Sequence, residues 1–317
     1  MTNPKARSDN SSSEEVLSET ASQKTSQKTS ENNWQVWYND FDKNYGPYKR
    51  KSWYSSVATA YRWARPRYPD ALIDRVIQSA GLKAGDTVLE MGCGPGIATR
   101  SFAARGLAMQ SVEPSSTACE LARKACHEFD NVTVVNSTFE DFSLNEKRFD
   151  AVLAATSFHW VAPDVACQKS AAALKPGGSL ILLWATPPQP DESLCQYLQP
   201  VYERHQLTDQ IRYQWRGQDY YQANFERFSQ VVGESEWFEQ TNVEIAQHHS
   251  TYSIEKYLAL LSTLSDYIAL PLDVRTQLLK DLGERLSEKK GDQPLPLVHW
   301  FAAQVAPLIA KTDERKG

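Results

Sequence analysis

One stretch constrains this chain more than any other: Val88-Leu89-Glu90-Met91-Gly92-Cys93-Gly94-Pro95-Gly96. Val88 to Met91 read as a short buried strand. Gly92, Gly94 and Gly96 make a turn almost bare of side chains, and Ile97 to Arg105 read as a helix. A strand that breaks into a glycine turn and re-enters a helix lets a ligand touch backbone directly.

The pattern around this stretch predicts an α/β fold. A helix over Ser55 to Ala64 is interrupted by Arg65-Pro66-Arg67-Tyr68-Pro69, because proline cannot continue the hydrogen-bond ladder. A second helix over about Asp70 to Ala80 presents Leu72, Ile73, Val76 and Ile77 on one face. Beyond the glycine turn, strands at Ala108 to Val112, Val132 to Val135, Phe149 to Ala154 and Ser179 to Trp184 alternate with helices. Ser115 or Ser116 can cap the helix that runs to about Phe129, and another helix runs from about Pro163 to Leu174. Such alternation means a doubly wound, mostly parallel sheet with ligands beyond the carboxyl ends of its strands.

After Trp184 the pattern changes. Residues 186–240 are polar and aromatic and read as a helical lid insertion, with helices near Glu192 to His205 and Tyr220 to Gln230. Val243 to Tyr252 reads as a strand, Ser253 caps a helix through Leu261, and Leu272 to about Glu288 is another helix. Pro296 to Gln304 is expected to return as an antiparallel strand at or near one edge. Residues 1–33, rich in Ser, Thr, Asn, Gln, Lys and Glu, read as a disordered tail. Residues 34–54 form an aromatic arm around Lys49-Arg50-Lys51, residues 55–310 the main domain, and residues 311–317 a charged tail.

Composition narrows the function classes. The net charge of −5 offers no global electrostatic case for nucleic-acid binding. Five cysteines without a CxxC pair point to a reducing compartment, and cytoplasm is the expectation. No apolar run approaches the roughly 20 residues of a membrane span, and the N-terminus lacks a signal-peptide core. His248 and His249 are adjacent on a strand and so face opposite sides, and further ligands at metal-site spacing are missing, so no metal is expected.

The glycine turn itself discriminates among nucleotide-type ligands. A dinucleotide fingerprint fails in both registers, since Ile97 or Thr99 stands where a third small residue is needed. A phosphate loop fails because no Gly-Lys-Ser/Thr follows. Glu90 is awkward beside a pyrophosphate and suits a ligand with a positive ammonium group.

Acid-x-Gly-x-Gly-x-Gly resembles the cofactor loop of class I S-adenosylmethionine-dependent methyltransferases, whose sheet is Rossmann-like. Glu113, seventeen residues after Gly96, stands where that family places the acid that binds the ribose hydroxyls. Ser137 to Phe142, Phe149 to Ala155 and Leu174 to Leu180 are similar to its later motifs. Ala60 to Pro69, Phe158-His159-Trp160 and Ser253 to Pro271 are similar to the small-molecule enzymes of the ubiquinone/menaquinone-methyltransferase-like group, although Arg62 replaces an acid there.

The resemblance implies S-adenosyl-L-methionine as cofactor, a small-molecule acceptor methylated at O or C, and no metal. It implies that Gly92, Gly94 and Gly96 admit the cofactor, with Cys93 as a small filler and Glu90 orienting the loop or receiving the ammonium. Glu113, followed by Pro114, takes the ribose. Thr138 and Phe139 flank adenine, with Glu140 or Asp141 near its amine, and Thr156 stands near the sulfonium. Arg65 binds the cofactor carboxylate or else caps a helix. His159 is the candidate general base, with a structural role in the wall as the other reading. A non-catalytic cofactor-binding module and an RNA or protein methyltransferase are the competing functions. The oligomeric state is open.

Overall fold

The computed structural model describes residues 57–144, 146–211 and 213–310. The expectations for the N-terminal tail, the aromatic arm and the charged tail at 311–317 lie outside them.

Residues 57–64 are helical and lead through an extended segment into α1 (Asp70–Ser79). β1 (Thr87–Met91) and the glycine turn open α2 (Ile97–Ala103). β2 (Ala108–Glu113) leads to α3 (Ser116–Ala125), where Ser115 Oγ accepts from the Ala118 N–H and caps the helix. β3 (Val132–Asn136) and β4 (Phe149–Ala155) follow, then a single 3-10 turn at Phe158–Trp160 and α4 (Pro163–Ala173). β5 (Leu174–Ala185) starts five residues before the expected Ser179, because the Lys175 to Gly178 turn continues its pairing through an irregular register beside Phe149 and Ala151. The remainder is α5 (Glu192–Arg204), α6 (Gln218–Gly233), β6 (Glu244–Tyr252), α7 (Ile254–Ser262), α8 (Ser265–Ile268), α9 (Leu272–Lys290) and β7 (Leu295–Pro307).

The seven strands form one sheet in the order β3-β2-β1-β4-β5-β7-β6. β1 pairs in parallel with β2 on one side and β4 on the other. The chain thus winds outward through β2 and β3, then crosses back to β4, and the crevice at the carboxyl ends of β1 and β4 is its topological switch point. β7 runs antiparallel to both β5 and β6. The antiparallel strand therefore stands one place in, and β6 takes the edge.

Two cores cover the two faces of the sheet. Leu89, Met91, Val152, Leu182 and Trp184 pack on one face with α4 and α6. Val88, Leu153, Ile181, Leu183 and Phe301 pack on the other with α1 and α2. The central strands are apolar on both faces, as parallel strands between helical layers must be.

The stretch read as one lid divides in two. α6 lies on the sheet, where its Phe225 and Val232 join the core of Trp184 and Trp300. Residues at 3–4 spacing such as Phe225, Phe228 and Val232 make an apolar stripe that needs a sheet face. α5 instead joins α7, α8 and α9 in a separate core around Tyr252, Leu295 and Leu297. The pairing of β5 with β7 ends at Ala185↔Phe301, while β6 and β7 stay paired to Tyr252↔Leu295. The β6–β7 ribbon thus projects past the carboxyl end of β5 and carries this helical bundle there.

Candidate active site

The three turn glycines all have left-handed backbone, but they do different work. A Cβ on Gly92 would come within 3.0 Å of Ser157 Cβ, and one on Gly96 within 3.1 Å of Ala122 Cα. Those two let neighbouring elements close in. Gly94, at φ +52°, faces space in which a Cβ would meet nothing within 4 Å. It is the bare position of the turn. The Gly92 and Cys93 N–H groups both donate to Val112 O, at 2.9 and 3.1 Å, which ties the turn to β2. Burial pushes the Cys93 thiol well above its ordinary pKa, which disfavours the reactive thiolate.

Glu113 ends β2 beside the turn, 7% exposed. Its Oε2 accepts from the Gly94 N–H at 2.9 Å, and its Oε1 from the Ser115 N–H at 2.8 Å. Burial raises its pKa and the two backbone donors pull it back. A carboxylate offers about four lone-pair sites, so each oxygen can still accept once more. Pro114 follows, partly exposed.

Glu90 is wholly buried. Its Oε2 accepts from Thr99 Oγ1 at 2.6 Å and from Ser111 Oγ at 2.7 Å, while its Oε1 has no hydrogen-bond partner. Burial pushes its carboxyl up to about 7 against those two hydroxyl donors. Neither Thr99 nor Ser111 is among the expected site residues. Ser111 was findable as a polar residue in register with Glu90 on the neighbouring strand.

The end of β4 holds a strained residue. Thr156 adopts φ +55°, uncommon for a β-branched residue. Its Oγ1 accepts from the Ala185 N–H at 3.0 Å and lies 2.7 Å from the Tyr68 hydroxyl. Ser157 Oγ donates to Met91 O. Tyr68 thereby joins the segment before α1 to the switch point. The same segment reaches the helical bundle: Tyr252 OH donates to Ala64 O at 2.7 Å, and Arg65 donates to Thr263 Oγ1 and to Thr263 O, both at 3.0 Å. Thr263 follows the last residue of α7. These two bonds cap the carboxyl end of α7.

The segment expected at adenine is a capped turn. Thr138 Oγ1 donates to Asp141 Oδ2 and accepts from the Asp141 N–H. Phe139 is buried in the core with Leu89 and Met91 rather than showing a ring face outward, and the Lys169 ammonium lies 5.7 Å from its centroid. Lys169 also donates to Glu140 O, and the Glu140 side chain is exposed. His159 stands on the 3-10 turn within an aromatic wall, its ring 5.0 Å from Trp160, 5.7 Å from Trp184 and 6.3 Å from Phe228.

A third imidazole joins the histidine pair on β6. His299 of β7 is the register partner of His248 and stacks on it at 5.3 Å. His299 is buried, and burial with two neighbouring imidazoles pushes it down to about 4. Among the described residues no group of His, Cys, Asp and Glu forms a metal site. No described helix is long and apolar enough to cross a membrane.

Residues 89–182, which span the turn, Glu113 and the end of β4, match the family described as "Methyltransferase domain". The part of the chain that holds the turn and Glu113 is thus similar to a methyltransferase domain. An uncharacterized methyltransferase of Mycobacterium tuberculosis is 34% identical over 133 residues, which are 42% of this chain and 52% of that protein. A demethylmenaquinone methyltransferase of Tropheryma whipplei is 35% identical over 104 residues, 32% of this chain and 43% of that protein. The chain thus spans about half the length of these relatives. A solved structure of a candidate type II methyltransferase from Anaeromyxobacter dehalogenans matches the fold with a TM-score of 0.52 at 19% identity, over 77% of this chain and 97% of that one.

Proposed function

We propose that this chain transfers a methyl group from S-adenosyl-L-methionine to an oxygen or carbon atom of a small-molecule acceptor. The observation that carries this reading is the pairing of the bare Gly94 with Glu113 at the carboxyl ends of β1 and β2. An open left-handed glycine next to a carboxylate with lone pairs to spare fits an amino-acid nucleoside, as does the unpartnered Glu90 oxygen below the turn. When bound, the cofactor supplies an electrophilic methyl on a positively charged sulfur.

Each residue then has a defined task. Gly92, Gly94 and Gly96 give close backbone approach, and Glu113 accepts from the ribose hydroxyls. Thr156, held by Tyr68 and Ala185, fixes the floor at the end of β4. His159 takes the acceptor's proton. The aromatic wall of Trp160, Trp184 and Phe228 excludes water and orients the acceptor. Residues 186–217 and the bundle around α7 and α9 set acceptor specificity. Five buried free cysteines suit the cytoplasm, where thiols stay reduced.

The test is to incubate the full chain with cofactor labelled on its methyl carbon and a fractionated metabolite extract. Label in a small organic product is the expected result. Cofactor binding without a labelled product in any fraction would leave a binding module instead, and label in RNA or protein would move the acceptor class.

A further inference from the structure

Glu90 is the one wholly buried carboxylate beside the glycine turn, and its two oxygens are treated unequally. Oε2 accepts from the hydroxyls of Thr99 on α2 and Ser111 on β2, and the Thr99 backbone N–H also favours the ionised form, while Oε1 has no hydrogen-bond partner. Glu90 forms no ion pair among the described residues. The titratable groups coupled to it are Glu113 at the end of β2, Tyr68 before α1, Cys93 in the turn and Cys126 after α3. Glu113 adds a like charge, and the phenol and thiols are neutral at ordinary pH. A buried carboxyl with one bare oxygen is far cheaper as the neutral acid than as the anion.

We infer that Glu90 carries a proton before the cofactor binds and gives it up to solvent as the cofactor's positive charge arrives at the turn. This rests on the S-adenosylmethionine reading above. The cation supplies the compensation that the fold withholds, so binding and ionisation are linked in both directions. Thr99 and Ser111 are positioning residues: they decide how readily Glu90 ionises without touching the ligand. The burial that raises this carboxyl to about 7 puts the coupling in the physiological range.

The coupling is read by calorimetry on the full chain at pH 7, with S-adenosylmethionine and S-adenosylhomocysteine as probes in buffers of different ionisation enthalpy. With a site half protonated at that pH, the chain should release about half a proton more than Glu90→Gln does. Its affinity should fall about fivefold between pH 7 and pH 6, while that of Glu90→Gln changes much less. Equal proton release by the two proteins overturns the inference. Ser111→Ala provides a second arm: loss of one donor to Oε2 should move the midpoint of the affinity profile upward by about one pH unit, and an unmoved midpoint overturns the assignment even if Glu90→Gln fails to fold. Absence of binding by either probe at every pH would strike the methyltransferase reading itself, whereas binding without proton release strikes only this coupling.

Discussion

The Gly94 N–H donates to Glu113 Oε2 at 2.9 Å, joining the loop after β1 to the loop after β2. The contact makes Glu113 a brace for the glycine turn, in addition to the ribose role proposed for it. Glu113→Gln keeps one acceptor oxygen but sets an amide NH2 against a backbone N–H. Cofactor affinity should fall by about 100-fold or more, the equivalent of an unmatched buried polar pair, with the fold retained by circular dichroism. Calorimetry that finds unchanged affinity would remove Glu113 from the site.

Alanine at two neighbouring glycines should separate binding from folding. Gly94→Ala introduces only left-handed strain of about 1–2 kcal/mol, because its Cβ meets nothing within 4 Å. Gly96→Ala adds a Cβ 3.1 Å from Ala122 Cα on top of the same strain. Thermal denaturation should show a clearly larger loss for Gly96→Ala, while Gly94→Ala should stay folded and bind cofactor at least tenfold more weakly, in keeping with a blocked approach.

His159 can be tested with two variants. His159→Phe preserves a ring against Trp184 and Phe228 but removes the base, and His159→Asn removes the ring. If His159 takes the acceptor's proton, both should lose about 100-fold in kcat with cofactor affinity within twofold. Full turnover in the Phe variant would assign His159 to the wall.

Stability should depend on pH at both flanks. Glu90 is raised from 4.5 to about 7, so its favourable contribution is complete below 4.5 and is lost as pH rises through 7. His299 is lowered from 6.5 to about 4, so its contribution is complete above 6.5 and is lost as pH falls through 4. Each amounts to about 3 kcal/mol at roughly 1.4 kcal/mol per unit. Melting curves should show Glu90→Gln gaining on the unmodified chain between pH 5 and 8. His299→Phe should lose less stability than the unmodified chain between pH 6.5 and 4. Parallel pH profiles would refute either assignment.

Much of this architecture was legible in the residues because its signals are local. Glycine punctuation at 92, 94 and 96, the caps Ser115 and Ser253, and the apolar runs of β1, β4 and β5 each declare their element. Contacts between distant segments were not legible. The resemblance aligns Phe139 with adenine, but only the packed sheet shows its ring turned into the core beside Leu89. Arg65 carries no mark in the sequence that its partner is Thr263, 198 residues away. The stripe of α6 was visible, yet whether it covers a crevice or a sheet depends on Trp184 and Trp300 from two other strands.

β7 gives Phe301 to the core on one face, Trp300 and Ala302 to the core on the other, and Leu295 and Leu297 to the helical bundle. A single strand of 13 residues is thus common property of these three hydrophobic cores. None of these three can melt without taking β7 and hence the other two. Unfolding should therefore be cooperative, with amide exchange of Phe301, Leu89 and Leu282 proceeding through one shared opening event.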